Sequence, residues 1–177
     1  MRQLLIPAVI PVLLMLSMAA SAEQGHGMHH HHMALQADNR QVVVFPAAMK
    51  QANLASMRNH LMVISEVLVN LGKGDFQEAA RVADAGLGLN SPSAAGCKPV
   101  EPGDKPQMSA APSMDAMMAK LMPPEMMRIG LAMHQAASDF ALEAAKPATA
   151  QNPARAYAAL GKVTQQCTNC HSSYRLQ

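Results

Sequence analysis

The chain has 177 residues, with 14 Lys and Arg against 12 Asp and Glu for a formal charge of +2. Neither a polybasic nucleic-acid surface nor an acidic tail follows from that balance. Half of the residues are hydrophobic, yet Trp is absent and Phe and Tyr number 3 and 2, while Met reaches 16; this unbranched, Ala- and Met-rich content argues against a β-sandwich, a barrel or an aromatic RNA-binding platform.

Residues 1–22 read as an export signal: Arg2, an apolar run over 4–18, and Ala20-Ser21-Ala22 as a small-residue cleavage site before Glu23. The run is short for a membrane span of about 20 residues and is broken by Pro7 and Pro11. No stable membrane insertion after cleavage is expected, and export without an outer-membrane β pattern points to a bacterial periplasm. Residues 23–45 read as a flexible His/Met-rich segment. His26, His29, His30, His31 and His32, interleaved with Met28 and Met33, are a candidate tract for a second metal such as Cu, Ni or Zn. The competing readings are a solvated tail without function and an engineered tag, the latter disfavoured by a run of only four His behind a natural-looking signal. Val42-Val43-Val44 is strand-like, but no second strand is evident to pair with it.

Residues 46–177 form the expected folded domain. The first helix spans about 46–71, with Pro46 suited to a first turn and Gly72 and Gly74 at its end. Leu54, Met57, Leu61, Ile64, Leu68 and Leu71 alternate in steps of three and four and predict its buried seam. The second helix starts at Asp75 with Glu78 three residues on, a capping box, and buries Phe76, Ala80, Ala83 and Leu87. The stretch 90–112 is rich in Pro, Gly and Ser and predicts a long loop. A short helix over 113–122 follows, whose Met114, Met117, Met118 and Met122 form an apolar face to cover the bundle end, or else a copper-binding stripe. The third long helix begins at Pro123-Pro124, buries Met126, Ile129, Met133, Ala136 and Phe140, and stops at Pro147. The fourth has Asn152 as N-cap and a seam of Ala156, Leu160, Val163, Cys167, Cys170 and Tyr174. The expected fold is all-α, an antiparallel four-helix bundle with a long loop between helices 2 and 3.

Cys167-Thr168-Asn169-Cys170-His171 is CxxCH, the attachment sequence for c-type haem. Offsets of three and four put both thiols and the imidazole on one helix face. Two thioethers can then hold a porphyrin edge while His171 reaches the iron as proximal ligand. A thioredoxin-type CxxC opens a helix after a strand, where the helix N-terminus lowers the thiol pKa; here the motif lies near a helix C-terminus. A structural zinc site needs one more good ligand, and Cys97 is the only other cysteine. A disulfide between residues three apart on a helix would strain it. Cys97 is left over, either free or in an intermolecular disulfide.

A four-helix bundle with CxxCH in its last helix, followed by Tyr174-Arg175 and preceded by a Gly74-Asp75-Phe76 junction, resembles cytochrome c′ and its low-spin relatives. The resemblance covers about residue 46 to the C-terminus. It implies one covalent haem c near one end of the bundle, a distal residue from the first helix, and periplasmic redox partner proteins with no nucleic acid. It also implies a homodimer through the first two helices. The long loop and the His/Met tail depart from that pattern.

Antiparallel neighbours pair at a constant sum of residue numbers, roughly 225 for the first and fourth helices. That sets Met57 level with the CxxCH segment, and in the family picture Met57 is the distal iron ligand, with Met49 and Met62 as fallbacks. For the third and fourth helices the sum is roughly 299, which puts Met126, Met127 and Arg128 at haem level and makes Arg128 a candidate contact to a haem propionate. His60 and His134 fall level with each other and could hydrogen-bond, with a distal role for one of these histidines a further alternative. The function expected is single-electron transport by a monohaem cytochrome rather than enzymatic catalysis. The alternatives are a five-coordinate binder of gases such as NO or CO, and metal handling by the His/Met tail. No paired-carboxylate, Ser/His/Asp or phosphate-loop constellation supports hydrolase or kinase chemistry.

Overall fold

The computed structural model describes residues 37–98 and 114–177. The expected export signal and the His/Met tract, including His26, His29, His30, His31 and His32, lie outside the described residues. So does most of the expected loop before the third long helix. The folded unit runs from Asp38 to Gln177, so residues 38–45, expected in the N-terminal segment, belong to it.

In chain order the elements are β1 (Gln41–Val43), α1 (Ala47–Gly72), α2 (Phe76–Leu87), a 3-10 segment (Pro92–Cys97), α3 (Met114–Leu121), α4 (Pro124–Ala144), a 3-10 turn (Ala148–Ala150), α5 (Pro153–Ser173) and β2 (Tyr174–Leu176). The described chain is predominantly helical, and the all-α class holds apart from one small sheet. Local chemistry sets most boundaries. Gly74 adopts φ +77° after α1, a left-handed turn that glycine makes at little cost. Asp75 caps α2 by accepting from the Glu78 amide at 3.0 Å. The reciprocal half of the expected box is not made: the Glu78 carboxylate pairs with Arg81 instead. Asn152 caps α5 through the Arg155 amide at 3.2 Å.

α1 packs on α2, α2 on α4 and α4 on α5. The main core lies among them, with Phe140, Leu87, Val67 and Val163 fully buried. The expected inner faces of α2, α4 and α5 are buried or partly buried, mostly against this core, while Met126, Ile129, Cys170 and Tyr174 pack in a second cluster. In α1 the expectation is corrected: Leu61 and Leu68 are 71% and 50% exposed, and the buried line is Met49, Asn53, His60, Val67, Asn70 and Leu71. Apolar residues occur on both sides of this helix, so the three-four spacing did not distinguish its inner side from its outer one.

The lone strand also finds a partner. β1 pairs in parallel with β2, Gln41 opposite Tyr174 and Val43 opposite Leu176. Val43, Phe45, Met49 and Tyr174 join Met122, Met126 and Ile129 in a second, smaller core. That cluster stands at the end of α5 that carries the CxxCH segment. Among the described residues no helix is long and apolar enough to cross a membrane.

Candidate functional site

α1 and α5 meet only loosely, and a cavity of about 580 Å³ opens between them. That volume falls in the roughly 300–1,000 Å³ range of ligand and cofactor sites. α1 contributes Lys50, Asn53, Leu54, Met57 and His60 to its wall, and α5 contributes Cys170 and His171. The far side is methionine-rich, with Met118, Met122 and Met126. Met118 Sδ accepts from Asn53 Nδ2 at 3.6 Å, which ties α3 to α1 across the cavity.

The structure brings Met57 to the cavity that His171 borders, although 114 positions separate them (171 less 57). Of the fallback residues, Met49 is buried in the smaller core, Met62 is 68% exposed, and neither borders the cavity. Cys170 faces the cavity, whereas Cys167 lies one turn back, packed against the main core with its Sγ 3.5 Å from the Val163 carbonyl oxygen. Burial pushes both thiols above the ordinary range. They differ in this from a redox-active CxxC, whose reactivity needs a lowered thiol pKa.

Arg128 lies outside the cavity wall. It projects from the first turns of α4 and forms an exposed ion pair with Glu125, with N–O distances of 2.7 and 2.5 Å. The cations at the cavity are instead Arg40, Lys50 and Arg175. Two of these sit on the strand segments that flank the helical domain, where helix register arithmetic had no reach.

His60 and His134 do meet, but as a perpendicular ring contact with centroids 5.7 Å apart. His134 Nδ1 lies 2.7 Å from the Leu87 carbonyl oxygen, which fixes the proton on that nitrogen and leaves Nε2 buried without a partner. His60 Nε2 is 3.4 Å from Ser56 Oγ. Burial, with the neighbouring His134 second, lowers His60 to about 4; burial also lowers His134.

Sequence reasoning left Cys97 over in a loop. It is in fact partly buried at the end of the 3-10 segment and borders the cavity. Gly130 makes room for it, because a Cβ there would come within 2.6 Å of Cys97 Sγ. Burial, then Cys170, raises the Cys97 thiol to about 11. Among the described residues no group of three or more His, Cys, Asp or Glu is arranged to hold a metal ion. No family model, curated protein or solved structure matches the chain.

Two thiols and an imidazole lie within five residues of one helix, and two of the three, Cys170 and His171, border a cavity whose wall combines Leu54, Leu176 and four methionines with Arg40, Lys50, Asp115 and Arg175.

Proposed function

We propose that the protein is a periplasmic monohaem c-type cytochrome of the cytochrome c′ kind, an electron carrier rather than an enzyme. The observation that carries this reading is the cavity between α1 and α5, with Met57 and His171 on its wall and the CxxCH segment alongside. Cys167 and Cys170 would hold the ring by thioethers, His171 would be proximal ligand and Met57 distal. Lys50 and Arg175 would receive the propionates in place of Arg128, since charge-assisted bonds from such cations suit carboxylates. When bound, haem c supplies a one-electron iron couple whose potential follows axial ligation and burial. Met118, Met122 and Met126 would keep water from the ring, and the apolar wall would favour the less charged, reduced state. The helix order α1–α2–α4–α5, each packed on the next, supports an antiparallel four-helix arrangement with the site at one end.

Periplasmic redox proteins are the partners this function calls for, and export would rest on residues 1–22. The outward row of Leu61, Met62, Leu68 and Val69 on α1, each at least 50% exposed, supports a second copy of the chain as a further partner. A second reading has its own observation: Leu54 shares the cavity wall with Met57. Were Leu54 the residue over the iron, the iron would be five-coordinate and open to NO or CO.

Expression of the whole chain with a haem-maturation system tests both readings. The carrier reading expects a pyridine haemochrome, a mass raised by one haem, and a far-red methionine–iron charge-transfer band. High-spin ferric bands, with CO binding that displaces no ligand, select the gas binder. A colourless product of bare polypeptide mass overturns the haem assignment altogether.

A further inference from the structure

Residues 167–171 lie in the last two turns of α5, whose final carbonyls have no partner within the helix. Helix ends fray, yet an axial imidazole needs a fixed orientation. The amino-terminal segment of the folded unit reaches this end directly. Arg40 Nη1 donates to the His171 carbonyl oxygen at 3.2 Å, across 131 positions, and a cation is favourable at a helix C-terminus. The guanidinium is itself held, for Arg40 Nε and Nη2 donate to the Asp38 carboxylate at 2.9 and 2.8 Å. Asp38 Oδ2 also stands 3.5 Å from Arg175 Nε. One residue beyond Arg40 the β1–β2 ladder begins, and it closes with the Gln177 amide donating to the Val43 carbonyl at 3.1 Å. Burial of Val43, Phe45 and Tyr174 fastens that ladder to the smaller core.

We propose that Asp38, Arg40 and β1 form a clamp on the end of α5, in which Arg40 is the positioning residue that keeps His171 in one orientation toward the cavity. The positioning role rests on the haem reading; the clamp itself does not. Three bonds held on one side chain make Arg40 more than a surface charge. Its partners Asp38 and His171 lie on segments at opposite ends of the folded unit, so the bond forms only when both ends are in place.

Backbone hydrogen exchange of the full chain without haem reads the clamp alone. A charge-assisted hydrogen bond lost from the helix end accelerates exchange over residues 170–177 about tenfold in Arg40→Ala, leaves α2 unchanged, and is partly restored in Arg40→Lys. In the haem-loaded chain, the proton shifts of the haem methyls report the imidazole orientation. Arg40→Ala changes their pattern, Arg40→Lys moves it back, and Arg81→Ala, which breaks an exposed pair on α2, alters neither exchange at 170–177 nor the methyl pattern. Unchanged exchange in Arg40→Ala overturns the clamp. Faster exchange with an unaltered methyl pattern overturns the positioning role. Failure to acquire haem sinks the cofactor reading, while the exchange data still decide the clamp.

Discussion

His60 and His134 enter the core on condition that they stay neutral. Both rings are buried, and burial outweighs the Leu87 carbonyl that favours the charged form of His134, so the folded chain resists protonating them. His60 titrates at about 4 when folded against an ordinary 6.5. The unfolded chain therefore binds the extra proton first as pH falls, and the stabilisation, complete above 6.5, declines toward pH 4. The urea midpoint is expected to be lower at about pH 4.5 than near neutrality. His60→Gln should reduce that dependence, leaving the part due to His134. Met57 carries the other residue-scale prediction. In the haem-loaded chain Met57→Ala is expected to abolish the methionine–iron band and to lower the reduction potential, because a thioether ligand raises it. Retention of the band in Met57→Ala would move ligation to another residue.

Among the elements, α2, α4 and α5 behave as their periodicity indicates, and α1 does not. Its polar residues Asn53, His60 and Asn70 are buried while Leu61 and Leu68 face outward. Asn70 satisfies itself within the helix, its Nδ2 donating to the Glu66 carbonyl at 3.1 Å, and Asn53 uses a methionine sulfur. Hydrophobic spacing cannot foresee polar residues that find partners inside. Caps are more local and more legible. Asp75 accepts from the Glu78 amide, so Asp75→Ala is expected to cost about 1 kcal/mol, visible as a lower thermal midpoint with native far-UV circular dichroism. The strand pair was illegible for the opposite reason. Val42-Val43-Val44 carries a clear strand signal, but its partner Tyr174–Leu176 is three residues long and follows a helix without a break.

At the scale of the whole molecule, the proposed second copy rests on the exposed apolar row of Leu61, Met62, Leu68 and Val69 on α1. Leu61→Asp with Leu68→Asp is expected to convert a dimer to a monomer in sedimentation velocity without changing helicity. A wild-type chain already monomeric at high concentration would remove that partner. Local chemistry accounts for much of the molecule without reference to tertiary contacts: helical character, the ends of α2 and α5, and three inner faces all follow from spacing and caps within a few residues. Register arithmetic for an antiparallel first and last helix set Met57 level with the CxxCH segment, and in the structure Met57 and His171 border one cavity. Tertiary structure alone decided which side of α1 turns inward, that Arg40, Lys50 and Arg175 rather than Arg128 supply positive charge at the cavity, that Cys97 belongs to its wall, and that the strand segments close over the end of α5. Each of these depends on segments far apart in the chain meeting at one place, and no periodicity within a single segment encodes such a meeting.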